Sequence, residues 1–353
     1  MKILFDHQIF YKKYGGASKY FVMLLDSMLR ESWETTTLLS GNPYVEAKRL
    51  FRTCRYRFRG QPRLLEYANR PYTNYRLRQG DFDVFHQTDF GVYCLNSLGN
   101  KPMVTTFHDT NLSTHDPHPE IVKLQMASLA RANAVIAVSE NTKRDMLELF
   151  DIDEKKIHVV YHGIEQPDLG QLTAARIFDF PYVLYVGRRS QYKNFQRFAE
   201  AFSVLHSKYP EIHCVCTSVP FNHSERETFA KLGIQDCMHS IFADEKTMLV
   251  LYRDACVFVF PSIYEGFGMP ILEAWSCHCP VVLSNASCFP EIAGDAGLFF
   301  EATDVDDMAE KMEKAVADGH MREHLIAKGD ERVKLFSWKR CAEKHIKVYE
   351  SLT

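Results

Sequence analysis

The sequence predicts an α/β protein built from two doubly wound parallel sheets facing a cleft. Three observations predict it. Short buried runs such as Ile3-Leu4-Phe5, Ala134-Val135-Ile136-Ala137-Val138 and Tyr182-Val183-Leu184-Tyr185-Val186 alternate with segments of helical apolar spacing. The alternation lapses over residues 165–179, which hold Pro167, Gly170 and little periodicity, and then restarts. The 353 residues allow two ordinary domains, and 46% hydrophobic against 25% charged residues is a globular balance.

The bulk properties exclude several classes. A net charge of -3 gives no general affinity for nucleic acid. The run after Lys2 ends at Asp6, so no secretory signal is expected, and no apolar run approaches the ~20 residues of a membrane span. Ten cysteines are scattered without framework spacing. Cys214-x-Cys216 and Cys277-x-Cys279 read as packed thiols in a reducing cytoplasm, and no metal-ligand cluster is expected.

In chain order, strand Lys2–Phe5 is followed by Tyr14-Gly15-Gly16-Ala17-Ser18 and a helix with apolar Phe21, Leu24, Leu25 and Met28. Strand, paired glycines and helix start make a turn compatible with phosphate. A second strand is expected over Thr35–Leu39. Residues 48–78 then carry Arg49, Arg52, Arg55, Arg57, Arg59, Arg63, Arg70 and Arg76, with Glu66 as the chief opposing acid and Leu50, Phe51, Tyr56, Phe58, Leu64, Leu65 and Tyr67 interleaved. A basic, aromatic, amphipathic segment reads as a membrane-surface element that meets anionic lipid or a phosphate-bearing acceptor. A solvated basic face and a nucleic-acid patch are its alternatives. Strand Asp83–His86 and strand Pro102–Phe107 follow, the latter running into His108-Asp109. His108 thus stands at the carboxyl end of a parallel strand, where open sheets bind ligands. His115 and His118 flank Pro117 in a loop. A helix over Pro119–Arg131, strand 134–138, a helix capped by Ser139, and a strand ending at His162-Gly163 complete the first half.

In the second half, strand Tyr182–Val186 leads to Gly187-Arg188-Arg189-Ser190-Gln191-Tyr192-Lys193-Asn194 and a helix through Phe195, Phe198 and Phe202. Two cations around a strand-to-helix turn suit a diphosphate, Arg188 as a fork and Lys193 as a point charge. Strand Val257–Phe260 leads to Pro261-Ser262-Ile263-Tyr264-Glu265-Gly266-Phe267-Gly268-Met269-Pro270-Ile271-Leu272-Glu273, in which a helix starts near Met269. Glycines let a ligand approach, and helix-start amides with the helix dipole favour an anion. Glu265 and Glu273 bracket this anion site and suit hydroxyls as acceptors. Phosphate donors between hydroxyl acceptors suggest a sugar nucleotide.

The run "PSIYEGFGMPILEAWSCHCPVV", with seven residues between Glu265 and Glu273, resembles the signature of family 4 of the retaining glycosyltransferases, which have the GT-B fold. "TTFHDTNL", Gly187-Arg188…Lys193-Asn194 and "PEIAGDAGLFF" extend the resemblance over nearly the whole chain. It implies domains at 1–165 (acceptor-binding, with the basic segment), 166–336 (nucleotide-sugar-binding) and 337–353, a final helix crossing back to the first domain. It implies transfer of a sugar, with retention, from a nucleoside diphosphate sugar (GDP-mannose or a UDP-hexose) to a hydroxyl of a glycan or lipid-linked acceptor in polysaccharide or lipopolysaccharide synthesis. Arg188, Lys193, the Gly15-Gly16 loop and the backbone of Gly266, Phe267, Gly268, Met269, Pro270 and Ile271 would hold the diphosphate. Glu273 would bind the ribose, the backbone at Ile241 the base, Glu265 a donor-sugar hydroxyl, and His108 the sugar ring region. Departures are Lys19 for a frequent Arg, His162 for Asn, and Thr217-Ser218-Val219-Pro220 where relatives often have glycines. A front-face substitution without metal or separate cofactor is expected, in the cytoplasm or on the inner face of the membrane. A sugar-nucleotide epimerase and a non-catalytic membrane scaffold are the rival readings.

Overall fold

The computed structural model describes residues 1–12, 15–54, 58–110, 118–172 and 174–353. Tyr14, Arg55, Tyr56, Arg57, His115, Pro117 and the end of the "TTFHDTNL" run lie outside the described residues. Two compact units divide the chain, Met1–Gly163 with Ser337–Thr353, and Ile164–Phe336.

The first unit holds strands β1 (Ile3–Phe5), β2 (Trp33–Thr35), β3 (Val84–Gln87), β4 (Met103–Phe107), β5 (Ala134–Ala137) and β6 (Ile157–Val159) in one parallel sheet of order β2-β1-β3-β4-β5-β6. Its inner strands are buried along their whole length, as strands covered on both faces must be. The second strand comes two residues earlier than its sequence suggests. The last ladder bond is Thr36 N–H to Phe5 O (2.9 Å). Beyond it, side-chain oxygens capture the amides: Thr37 N–H donates to Thr35 Oγ1 (3.1 Å) and Leu38 N–H to Asn69 Oδ1 (2.7 Å).

Helix α1 (Gly16–Ser27) follows the glycine turn, and helix α2 (Gln61–Gln79) contains most of the basic segment. Leu65, Asn69, Thr73 and Leu77 form the buried face of α2 at helical spacing. Among the described residues, three of the acids that pair with the segment come from outside it, and one, Glu66, from within. Lys48 pairs with Asp26 (2.9 Å), and Arg76 with Glu34 (2.5 Å) and Asp81 (3.3 Å), while Arg70 pairs with Glu66. Arg49, Arg52, Arg59, Arg63 and Arg78 are exposed.

The terminal helix α5 (Trp338–Glu350) is part of the first unit's core. Its His345 Nε2 meets Tyr20 Oη at 2.6 Å, and its Tyr349 Oη meets His86 Nδ1 at 2.6 Å. Gly163 is tied to this packing, since a Cβ there would lie 2.1 Å from Trp338 N.

The second unit repeats the architecture with β7 (Tyr182–Val186), β8 (His213–Thr217), β9 (Met238–Ile241), β10 (Val257–Phe260), β11 (Val281–Ser284) and β12 (Leu298–Phe300), ordered β12-β11-β10-β7-β8-β9 and parallel throughout. Phe198, Phe202 and Leu205 of helix α3 (Phe195–Lys208) join Val183, Val257, Met308 and Met312 in its core. From β7 the chain winds outward through β8 and β9. From β10 it winds the other way through β11 and β12. The reversal lies between β7 and β10, and the crevice at the carboxyl ends of two such strands is where doubly wound sheets bind ligands.

Candidate functional site

Both sequence motifs of the second unit leave the sheet at this reversal. After β7 the chain forms a single tight turn at Gln191–Lys193 and enters α3 from Asn194, which is left-handed (φ 57°). Asparagine tolerates that conformation better than most residues. Its side chain is held at both ends, Nδ2 donating to Ala302 O (2.6 Å) and Oδ1 accepting from Arg197 Nη1 (3.1 Å). The buried Tyr185 hydroxyl donates to Arg188 O (3.0 Å) and approaches Lys193 O (3.4 Å), so one phenol braces the ends of the cationic loop. After β10, Gly268 (φ 89°) turns the chain into helix α4 (Met269–Ser276), with Pro270 in its first turn. A Cβ on Gly268 would press on Ile271 Cδ1 and Phe289 Cε1, both at 3.1 Å, so left-handed backbone and space both require glycine.

The two loops are joined. Ile263 N–H donates to Tyr192 O (2.8 Å), and the Lys193 ammonium forms an ion pair with the Glu265 carboxylate. Each side chain of that pair keeps 16% of its exposure, so it is shielded but reachable from solvent. The Glu265 backbone is gripped by Ser287, whose hydroxyl accepts from Glu265 N–H (3.1 Å) and donates to Glu265 O (2.6 Å). Ser287 itself is left-handed (φ 57°).

Of the amides named from the sequence at this helix start, Ile271 N–H turns back to Gly268 O (2.9 Å) and Pro270 has none. The Gly268 and Met269 amides have no partner among the described residues. Gly266 and Phe267 are buried, and Glu273 lies one turn into α4, half-buried, accepting from Tyr252 Oη at 3.4 Å. Arg188 is exposed, and its guanidinium has no partner among the described residues. Its neighbour Arg189 is committed: it forks onto Glu225 (2.5 and 3.3 Å), donates to Val219 O (2.8 Å) and Pro220 O (3.2 Å), and lies over the Phe221 ring. Arg189 therefore staples the Thr217–Pro220 loop. Ile241 ends β9, two strands out from β7, and its carbonyl accepts from Ser218 N–H (3.2 Å).

Three sequence-derived residues of the first unit stand at α1 and β4. Gly15 (φ 146°) precedes α1, and a Cβ on Gly15 or Gly16 would meet no atom within 4 Å among the described residues. His108 follows β4, and the Tyr20 ring stands edge-on to it at 4.9 Å. Its Nε2 is buried with no partner among the described residues. Loss of hydration lowers its pKa to about 4, so it is a neutral hydrogen-bonding group at pH 7.

Sequence reasoning missed Tyr185 and Ser287. A tyrosine within an aliphatic buried strand signals a hydroxyl that needs a partner. Nothing local marks Ser287, because its partner lies 22 residues away.

The chain matches two family models, Glycosyltransferase Family 4 over residues 14–166 and Glycosyl transferases group 1 over residues 176–332. It is 30% identical over 317 residues to O-antigen chain mannosyltransferase B of Escherichia coli, covering 82% of this chain and 78% of that one. It is 26% identical over 243 residues to the serotype-specific mannosyltransferase WbdA of Escherichia coli, covering 65% of this chain and spanning only 30% of that one. The crystal structure of Anabaena HepE in complex with UDP and glucose superposes over 100% of both chains with a TM-score of 0.79 at 16% identity, which is a likeness of fold. With both units matched and the mannosyltransferase relative aligned over most of its length, the chain belongs to the family 4 (group 1) glycosyltransferases of GT-B fold.

Proposed function

We propose that this glycosyltransferase moves a sugar, with retention, from a nucleoside diphosphate sugar to a hydroxyl of a glycan or lipid-linked acceptor in cell-surface polysaccharide or lipopolysaccharide synthesis. The carrying observation is the Lys193–Glu265 pair set across the β7/β10 reversal beside the start of α4. A diphosphate arriving there meets the Lys193 ammonium, the Gly268 and Met269 amides and the positive end of the helix. Arg188 closes on it from the exposed loop. Lys193 then bridges the diphosphate and Glu265, and Glu265 accepts from a sugar hydroxyl and sets a counter-charge beside the oxocarbenium-like carbon. Glu273 takes the ribose hydroxyls, and the backbone at Ile241 the base. In the first unit, the Gly15-Gly16 turn suits phosphate, and neutral His108 suits a sugar hydroxyl.

In the step itself the acceptor oxygen bonds C1 on the face from which the diphosphate leaves. The C1–O bond breaks with its electron pair on the diphosphate, and the departing phosphate oxygen takes the acceptor proton. Arg188 and Lys193 supply the positive charge for the leaving group, so the reaction should persist in EDTA. The mannosyltransferase relatives favour GDP-mannose as donor, with UDP-hexoses as the competing class.

Among the described residues no helix is long and apolar enough to cross a membrane. Phe58 and Leu64 are exposed among Arg49, Arg52, Arg59 and Arg63, which fits a peripheral seat on an anionic membrane at its cytoplasmic face. Co-sedimentation with phosphatidylglycerol vesicles, weakened in Arg59→Glu/Arg63→Glu, tests that seat.

Release of nucleoside diphosphate from a panel of GDP-, UDP- and ADP-sugars, with acceptor and with EDTA, tests the reaction. Lys193→Ala and Glu265→Ala should each lose at least about 100-fold in kcat while remaining folded. Full activity in either would remove the basis of the assignment.

A further inference from the structure

A concavity of about 620 Å³ runs along α2 in the first unit. None of the residues given a part in the transfer lines it. Tyr67, Pro71, Asn74, Tyr75 and Arg78 form its floor at helical spacing, and Arg70 and Tyr93 form its side. Tyr67 and Tyr75 are 64% and 57% exposed, although large aromatic side chains are normally covered. Arg70 lies between the Tyr67 and Tyr93 rings, 5.1 Å from each centroid, and its charge is already balanced by Glu66. Tyr93 is fixed from behind by His7, whose Nδ1 meets the phenol at 3.0 Å.

The polar atoms of this groove are under-used. Asn74 Oδ1 and Arg70 Nε are buried without partners among the described residues, and Arg78 has none for its guanidinium. Pro71 also lacks the N–H that would otherwise meet the Tyr67 carbonyl within the helix.

We propose that this groove is a saccharide-binding site that holds sugar units of the acceptor chain remote from the reacting hydroxyl. The inference rests on the reading of a glycan acceptor. Exposed tyrosine faces offer flat apolar surfaces to the C–H faces of pyranose rings. Planar amide and guanidinium groups between them offer donors and acceptors to ring hydroxyls. The volume lies in the range of built ligand pockets. A bilayer would be met by an outward apolar face, whereas this surface is concave and alternates ring with polar group. Glu66 already balances Arg70, so the site suits a neutral sugar as well as one bearing an acidic group.

The test is titration of the full chain, without donor, with α-mannotetraose, maltotetraose, chitotetraose and cellotetraose, read by saturation-transfer NMR and calorimetry. Tyr67→Ala and Tyr75→Ala change exposed side chains, and their melting temperatures serve as fold controls. At least one oligosaccharide should bind, with affinity about tenfold weaker in each variant. The KM for a long acceptor should rise while transfer to a monosaccharide acceptor is unchanged. Binding of none of the four, or unchanged affinity in both variants, overturns the proposal. So does loss of vesicle binding with sugar binding intact, which would make the groove a lipid contact. Nucleoside diphosphate release is measured alongside. Its absence with sugar titration intact would fell the transfer reading and leave the groove standing.

Discussion

Ser287 carries a backbone conformation that suits glycine and uses it to fix Glu265 at both its N–H and its carbonyl. A left-handed non-glycine residue costs on the order of 1 kcal/mol or more, so the hydroxyl's two bonds must offset strain as well as ordering. Two substitutions separate these effects. Ser287→Ala keeps the strain and loses the clamp, and should destabilise by about 1–3 kcal/mol. Ser287→Gly loses the clamp but relieves the strain, and should be more stable than Ser287→Ala by about 1 kcal/mol. Both should lose kcat by roughly tenfold through misplacement of Glu265, with a smaller change in KM. If activity simply tracked stability across the pair, Ser287 would be a structural residue and no more. The Lys193–Glu265 pair was readable in the sequence as two separate residues with separate tasks. Their union was not readable, because it depends on β7 and β10 becoming neighbours, which brings together residues 72 positions apart. Arg189 shows the converse. It stands beside Arg188 in the same loop, but Glu225, distant in sequence, claims it.

At the level of elements, α4 matters because it presents both the anion-facing amides and Glu273. Its buried Trp275 packs against the helix Gly319–Val333 at Gly329. Glycine inside a helix costs ~1 kcal/mol relative to alanine, so propensity alone favours Gly329→Ala. Space forbids it, since the added Cβ would lie 2.4 Å from Trp275 Cδ1 and 2.9 Å from Nε1. The two helices would have to part, and Gly329→Ala should destabilise by about 1–3 kcal/mol in urea titration and weaken nucleotide binding through the shift of α4. A variant more stable than the parent would show that the contact yields freely. Elements as such were largely legible: the apolar runs gave the strands, and Ser139 caps its helix as its position suggests, accepting from Thr142 N–H at 3.0 Å. The second strand was not, because Asn69 and Thr35 take the amides that would have extended it. The basic segment was half legible. Its basic, aromatic and amphipathic character follows from the sequence, but its helix was not legible there, and Glu34, Asp81 and Asp26 are brought to it only by the fold.

Across the whole molecule, titratable burial is uneven. The first unit encloses His7, His86, His108, His162 and His345 around Tyr20, Tyr93 and Tyr349. Burial lowers the pKa of all five, to about 4 for His7, His108 and His345, and well below the usual range for His86 and His162, with the neighbouring histidines adding to the last two. In the unfolded chain each titrates near 6.5. Between pH 6.5 and about 4 the unfolded state therefore binds more protons, and stability falls as pH falls. Each such histidine contributes a slope of up to ~1.4 kcal/mol per pH unit in that window. Asp6 opposes them. Burial raises its pKa to about 7 against donors from Thr88 and Gln8, so the folded state holds a proton there that the unfolded state does not. One carboxyl against five imidazoles leaves the balance acid-sensitive. In the second unit His213 and His239 are half-buried and shifted in the same direction by burial and a neighbouring histidine. Calorimetry from pH 7.5 to 5.0 should therefore show one transition falling steeply with acidification and belonging to the first unit, while a second moves less. His345→Gln keeps a polar group opposite Tyr20 and should shallow the first slope by close to one proton at pH 5.5. A melting temperature constant over this range, or a steeper fall in the second unit, would mean that the imidazoles gain protons without unfolding and that the cluster is open to water.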